Sequence, residues 1–308
     1  MENETKETEK TIEPEFKPQV NLSPTSINTF FRCPRKYFYN YIAKLKTKPS
    51  IHLVKGSIVH KILEDFFREY TSDMKGRMDA LLEKNWEKNE KQLGMLNLTE
   101  AELETARLDI LNIITEYYIT VSRKMKALID IGKAENDRHA YFLIKPKLKE
   151  MYIKNEEIHC VGYIDRVSKD WDGLITLGDY KTSSKFGMGL PAEYRRQLAI
   201  YSLLYYLKEN ELPDFVAVDF LRYGEEYLLE VTPSLLQYAR TVVTDTYAKT
   251  RSTELKDYPK IEGNLCRWCD YIDICSGKKE WEKQVRLQAI KDTLKKKEEE
   301  SEVKNDTW

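Results

Sequence analysis

The sequence predicts an α/β fold in which a mixed central sheet is flanked by helices, and three observations carry that prediction. Apolar residues recur at helical spacing up to about residue 130, alternating strand-like runs replace them between about 140 and 180, and a helix with two more strands follows before helical pattern returns near Pro233. Helices, a meander of strands, a helix, strands and helices again is the order of a sheet covered by helices. The chain has 308 residues, 41 % hydrophobic and 33 % charged, enough to build a sizeable core.

Taken in order, residues 1–20 lack a hydrophobic pattern and read as a disordered tail. Ser23 or Ser26 can cap a helix that begins with Ile27, Phe30 and Phe31 and runs through Cys33 and beyond. Gly56 and Ser57 are read as opening another, with Val59, Leu63, Phe66, Phe67 and Tyr70 on its inner side. Residues 77–129 look helical throughout, since Leu103, Ala106, Ile110, Ile113, Tyr117 and Val121 repeat at three- and four-residue steps. This helical insert, about 70–135, reads as packing without chemistry. Strands are expected at 140–145, 148–153, 158–168 and 173–180, a helix at 192–208, and strands near 215–222 and 226–231. One domain is expected over 21–280, followed by a charged helix or tail over 281–308.

No apolar run approaches the length that spans a bilayer, and the first residues are acidic, unlike a secretion signal, so a cytoplasmic location is expected. There five cysteines argue for metal ligation more than for disulfides. The net charge is −1, yet no acid occurs between Phe16 and Leu63 while nine Lys and Arg do, among them Arg32, Arg35 and Lys36. Such a span suits a phosphate backbone, so DNA, single-stranded or at its ends, is the expected partner. The interleaved Tyr37, Phe38, Tyr39 and Tyr41 read instead as core aromatics.

The chemistry sits where strands end. Gly162-Tyr163-Ile164-Asp165-Arg166-Val167 sets an acid among apolar strand residues, and Gly178-Asp179-Tyr180-Lys181-Thr182 closes the next strand with an acid and a lysine two apart. Residues two apart on a strand share a face, so Asp179 and Lys181 enter one site, and a hairpin would bring Asp165 beside them. Two carboxylates on one surface repel unless a cation lies between them, and their hard oxygens suit Mg²⁺ or Mn²⁺. A lysine there can orient water or neutralise charge on a phosphate.

This acid strand followed by Asp-x-Lys resembles the PD-(D/E)xK nuclease superfamily, with Ile164 in place of the proline of its name. His60, in Gly56-Ser57-Ile58-Val59-His60, is similar to the helical metal-ligand histidine of the RecB-like branch, and Gln197-Leu198-Ala199-Ile200-Tyr201 resembles the motif whose Gln and Tyr support the site. Glu150 is similar to a further acidic position. The resemblance implies a Mg²⁺- or Mn²⁺-dependent exodeoxyribonuclease with Asp165, Asp179 and Lys181 as catalytic residues and His60, Asp165 and Asp179 as metal ligands. It implies action on single-stranded DNA ends in repair, recombination or CRISPR adaptation. No G-x-x-x-x-G-K-[ST] phosphate loop is present, so unwinding would need a helicase partner. The alternative is a non-catalytic subunit that binds DNA ends or scaffolds a repair or CRISPR complex; RNA as the substrate also stays open.

Cys266-x-x-Cys269-x₅-Cys275 within 262–277, together with the remote Cys33, can supply the four thiolates of a [4Fe–4S] cluster, or those of a structural zinc. The split pattern is similar to the iron–sulfur subgroup of RecB-like nucleases, which favours iron and a clip that joins the two ends of the domain. Cys160 reads as a core thiol.

Overall fold

The structure, a computed structural model, describes residues 16–47, 49–183 and 189–276. The tail expected over 281–308, and all but the last five residues of that expected over 1–20, lie outside them. The described chain forms two compact units, one of residues 16–19, 29–47 and 250–276 and the other of 20–28 and 49–249.

The first helix, α1 (Pro24–Arg32), starts where the sequence places a cap. Ser23 Oγ accepts from the Ser26 amide at 3.1 Å, and Ser26 Oγ accepts from the Ser23 amide at 2.8 Å, so two orphan donors are satisfied reciprocally. It does not run through Cys33. That residue is extended (φ −163°) and precedes a one-turn helix, α2 (Pro34–Tyr37), because Pro34 lacks the amide that a continuing helix needs.

In the larger unit, α3 (Ile51–Phe66) begins earlier than Gly56 and Ser57 suggest. Ser50 is its N-cap, accepting from the His52 amide at 3.3 Å, and Gly56 and Ser57 lie inside the helix. The insert is α4 (Met74–Lys88), α5 (Glu90–Gly94) and α6 (Glu100–Asp130), broken at 95–99 rather than continuous. The break is where Thr99 and Glu102 form a capping box that starts α6 afresh. Residues expected as a strand at 140–145 fall in a helix, α7 (Asp137–Ile144): Asn136 accepts from the His139 amide at 3.0 Å, and Ala140 and Tyr141 turn inward. Helices α3, α4, α6 and α7 close around one apolar core that includes Ile58, Ile62, Phe66, Ile110, Ile114 and Tyr141. The insert therefore shares its core with the helix that carries His60.

The sheet has five strands in sequence order, β1 (Leu148–Asn155), β2 (Cys160–Lys169), β3 (Ile175–Lys181), β4 (Phe215–Phe220) and β5 (Glu225–Glu230). Neighbours are antiparallel except β3 and β4, which are parallel and joined through α8 (Ala192–Glu209). Eight consecutive residues of α8, Leu198–Tyr205, are buried, as suits a helix covered by the sheet on one side and by α9 (Pro233–Lys249) on the other. Among the described residues no helix is long and apolar enough to cross a membrane.

The smaller unit is held by aromatic rings. A π-helical turn at Phe38–Ile42 buries Phe38, Tyr39 and Ile42, and Tyr37 stacks on Tyr258 with centroids 6.1 Å apart. Tyr271 packs on Tyr39 and donates to the Leu45 carbonyl at 3.1 Å. These are the core aromatics that the sequence suggests. A one-turn helix, α10 (Ile272–Cys275), closes the described chain.

Candidate active site

Four elements of the larger unit converge. The β2–β3 hairpin brings Asp165 beside the end of β3, where Asp165 Oδ2 accepts from the Tyr180 amide at 2.6 Å. Helix α3 supplies His60, with Nδ1 3.3 Å from Asp165 Oδ1 and Nε2 3.1 Å from the Tyr180 carbonyl. Helix α8 supplies Gln197, whose amide donates to Asp179 Oδ1 at 2.7 Å and to the Tyr201 hydroxyl at 2.9 Å; that hydroxyl reaches Asp179 Oδ1 at 3.5 Å. The Lys181 ammonium lies 2.6 Å from Asp179 Oδ2 and 5.3 Å from the centre of the Tyr194 ring. Asp165, Asp179, Lys181, His60, Gln197 and Tyr201 thus lie in one constellation. His60, Lys181 and Glu150 line an open cleft of about 590 Å³.

Burial sets the charges here. Asp179 is 3 % exposed. Desolvation pushes its carboxyl up to about 6; Asp165 adds to the rise while Lys181 and His60 oppose it. Burial would depress the Lys181 amine, yet the Asp179 charge and contact outweigh it and hold the ammonium above its usual range. For His60, desolvation is likewise outweighed by Asp165 and the nearby acids, so the imidazole is drawn toward its cationic form. A cationic ring places a donor at both Asp165 and the Tyr180 carbonyl.

The donor set fits a divalent metal. Ligand atoms of His60, Glu150 and Asp165 all lie within 4.8 Å of one another. Asp179 Oδ2 is buried and has no hydrogen bond of ordinary geometry besides its ion pair with Lys181. Oxygen donors with one imidazole are the set that hard divalent ions accept. Glu150 enters through an unusual backbone: although it sits within β1, its φ is +51°, a left-handed conformation costing roughly 1–2 kcal/mol for such a residue. Desolvation and the Asp165 charge raise its carboxyl pKa.

Two supports were not read from the sequence. Tyr180 contributes its amide and its carbonyl to the site, while its hydroxyl lies 3.2 Å from that of Tyr117 in α6. Arg166, next to Asp165, is buried and reaches Asp219 (2.8 Å) on β4 and Glu226 (2.5 Å) on β5. A β-carbon at Gly178 would run into the Arg166 side chain, so only glycine leaves room for this crossing of three strands. The sequence signal for both is a polar residue of opposite parity to the acids, flanked by strand formers.

In the smaller unit, Cys33, Cys266, Cys269 and Cys275 all line one cavity of about 350 Å³, together with Arg32, Arg35 and Lys36. Burial and the neighbouring Cys33 and Cys269 raise the Cys275 thiol pKa, while Arg35 and Lys260 oppose the rise. Part of Arg35 is committed within the fold, as its Nε donates to the Tyr258 carbonyl at 2.7 Å. Cys160 stands apart on β2, buried, its thiol pushed up to about 12 by desolvation.

Residues 21–276 match the model of the PD-(D/E)XK nuclease superfamily. An uncharacterized protein of Rickettsia bellii is 27 % identical over 269 residues, 83 % of this chain and 30 % of its own length. An ATP-dependent helicase/deoxyribonuclease subunit from Clostridium botulinum is 28 % identical over 186 residues, 54 % of this chain and 16 % of its own. The chain spans less than a third of the length of these curated relatives. The crystal structure of a candidate exonuclease from Eubacterium rectale superposes with a TM-score of 0.42 at 16 % identity, covering 82 % of this chain and 88 % of that one. With the family match running through the sheet and every element of the acid–lysine site, the chain belongs to the PD-(D/E)XK nuclease superfamily.

Proposed function

We propose that the chain is a Mg²⁺- or Mn²⁺-dependent deoxyribonuclease that hydrolyses phosphodiester bonds from single-stranded DNA ends. One observation carries the reading: two buried acids, a histidine and an ion-paired lysine, drawn from three separate elements, meet beside an open cleft that His60 and Lys181 line. His60, Asp165 and Asp179 would hold the ion on this reading: ligand atoms of His60, Asp165 and Glu150 already lie within 4.8 Å of one another, and Asp179 Oδ2 would turn to it from Lys181. Such an ion, when bound, supplies Lewis acidity to a phosphoryl oxygen and lowers the pKa of a bound water. Lys181, fixed by Asp179 and the Tyr194 ring, presents a cation to the phosphate and can hold a water by hydrogen bond. Gln197 and Tyr201 keep Asp179 Oδ1 occupied and so fix the direction of its second oxygen. The test is purified protein with end-labelled single- and double-stranded DNA in Mn²⁺, Mg²⁺ or chelator. Shortening of single strands from an end, abolished by chelator, is expected; intact DNA of every form in either metal, with folded protein, would refute the reading.

We further infer that Cys33, Cys266, Cys269 and Cys275 hold a [4Fe–4S] cluster with a structural role. Its support is that all four side chains line one cavity while the fifth cysteine lies in the other unit's sheet. Arg32, Arg35 and Lys36 contribute to DNA binding on this reading. A helicase partner in repair, recombination or CRISPR adaptation is proposed as well, and the helicase/deoxyribonuclease relative supports it.

A further inference from the structure

Tyr152 of β1 and Tyr163 of β2 sit directly opposite each other in the antiparallel register, with ring centroids 4.9 Å apart and planes tilted by 41°. Their sequence neighbours Met151, Ile153 and Ile164 are buried, yet these two rings are 47 % and 56 % exposed. A cross-strand aromatic contact stabilises a sheet, which accounts for the rings touching. It does not account for two large aromatic surfaces left to solvent beside the site. Tyr152 is two residues from Glu150 and Tyr163 two residues from Asp165, about 7 Å along each strand. Cations lie near: Lys154 follows on the same strand, and the Lys208 ammonium is 3.5 Å from the Tyr152 carbonyl.

We propose that Tyr152 and Tyr163 form a stacking platform for an unpaired base of a nucleic-acid strand whose backbone runs over Asp165 and Asp179. The proposal rests on the nuclease reading and deepens it by naming what selects a single strand. An aromatic ring offers stacking to any base whatever its sequence, whereas a base inside a duplex already has both faces covered by its neighbours. Lys208, and Lys154 on exchanging its Glu156 partner, would meet the phosphates of such a strand on this proposal. The platform would thus admit frayed or single-stranded DNA to the acids and leave an intact duplex with only its backbone contacts.

The test measures binding by the full chain in chelator, where nothing is cut, to labelled oligothymidylate, a duplex of equal length and an abasic strand. Tyr152→Ala and Tyr163→Ala should each weaken oligothymidylate binding about tenfold, while duplex and abasic affinities stay within about twofold. Tyr163→Phe should bind as wild type, and Tyr163→Leu, which keeps apolar bulk without a ring, should bind as weakly as the alanine variant. That pair keeps the outcome readable if an alanine variant melts early. Wild-type affinity in Tyr163→Leu, equal wild-type binding of abasic and base-bearing strands, or a parallel loss on duplex would each overturn the platform. Cleavage in Mn²⁺ is scored alongside. A wild type that cuts while the tyrosine variants keep full affinity sinks only the platform, and one that binds bases through these tyrosines yet cuts nothing sinks only the nuclease reading.

Discussion

Asp179 concentrates the tension in this molecule. It is buried beside a second acid, is held by Gln197 and Lys181, and carries a carboxyl pushed up to about 6 by desolvation. Alanine at Asp165, Asp179 or Lys181 should each lower cleavage by about a hundred- to a thousandfold, the range for loss of a group that stabilises transition-state charge. Cutting by Asp179→Ala within about tenfold of wild type would place the chemistry elsewhere. The same shift predicts a pH dependence of stability. An acid whose folded pKa lies above its unfolded value near 4 binds more protons when folded, so its destabilising effect is absent below about pH 4 and complete above about pH 6. Metal-free protein should therefore melt at a lower temperature at pH 7 than at pH 5. Asp179→Asn should flatten that trend, and Mn²⁺ should reverse it in the wild type; thermal melts across pH with and without the ion decide this. The acids and the lysine were legible in the sequence because spacing and strand alternation place them. Glu150's left-handed backbone was not, since nothing in a Lys-Glu-Met stretch announces a positive φ.

The elements show where pattern and fold part. Residues 140–145 carry strand-forming Tyr, Phe, Leu and Ile, yet the Asn136 cap and a place beside Phe66 and Phe67 make them helix α7, so tertiary packing overrode propensity. Ser50 caps α3 six residues before the Gly-Ser pair because both residues of that pair can sit inside a helix whose inner face is already set. The insert, expected to be inert packing, braces the site: Asp109 on α6 pairs with Lys55 on α3 and with Arg222 beyond β4, and Tyr117 backs Tyr180. Behind the acids, Arg166 ties β2 to β4 and β5, and burial of Asp219 leaves that acid dependent on it. Arg166→Met should cost about 3 kcal/mol, because it strands the desolvated Asp219 carboxylate, while Glu226 keeps Lys124 as a partner. Urea unfolding of the variant checks this, and a midpoint equal to wild type would mean that water solvates those acids in the folded state.

In the chain as a whole, two units carry separate proposals, and each fails on its own terms. Anaerobically purified protein should be brown with about four irons per chain. Cys33→Ser and Cys269→Ser should bleach it, and Cys160→Ser should keep the colour. Stoichiometric zinc without iron would turn the same thiolates into a zinc site and leave Asp165, Asp179 and Lys181 untouched as a hypothesis. Replacing Arg32, Arg35 and Lys36 together by alanine should weaken DNA binding on every sequence and flatten its salt dependence, since fewer counterions are released. An unchanged slope of affinity against salt would show that these residues do not meet the backbone. The overall arrangement of helices around a mixed sheet was legible in the changes of hydrophobic period. The division into two units was not, because segments 29–47 and 250–276 find each other through rings such as Tyr37 and Tyr258, far apart in sequence.

The order of the strands also dictates when the site comes into being. Asp165, Asp179, Lys181, Gln197 and Tyr201 fall within one hairpin and the crossover that follows it, so short loops suffice to gather them. His60 reaches Asp165 only by closing a loop of more than a hundred residues that contains the whole insert. Loop closure grows dearer with length, and distant contacts form slowly. A full-length chain refolding from denaturant would gather the two acids and their lysine before the histidine docks, and full metal ligation would then report that the insert has folded.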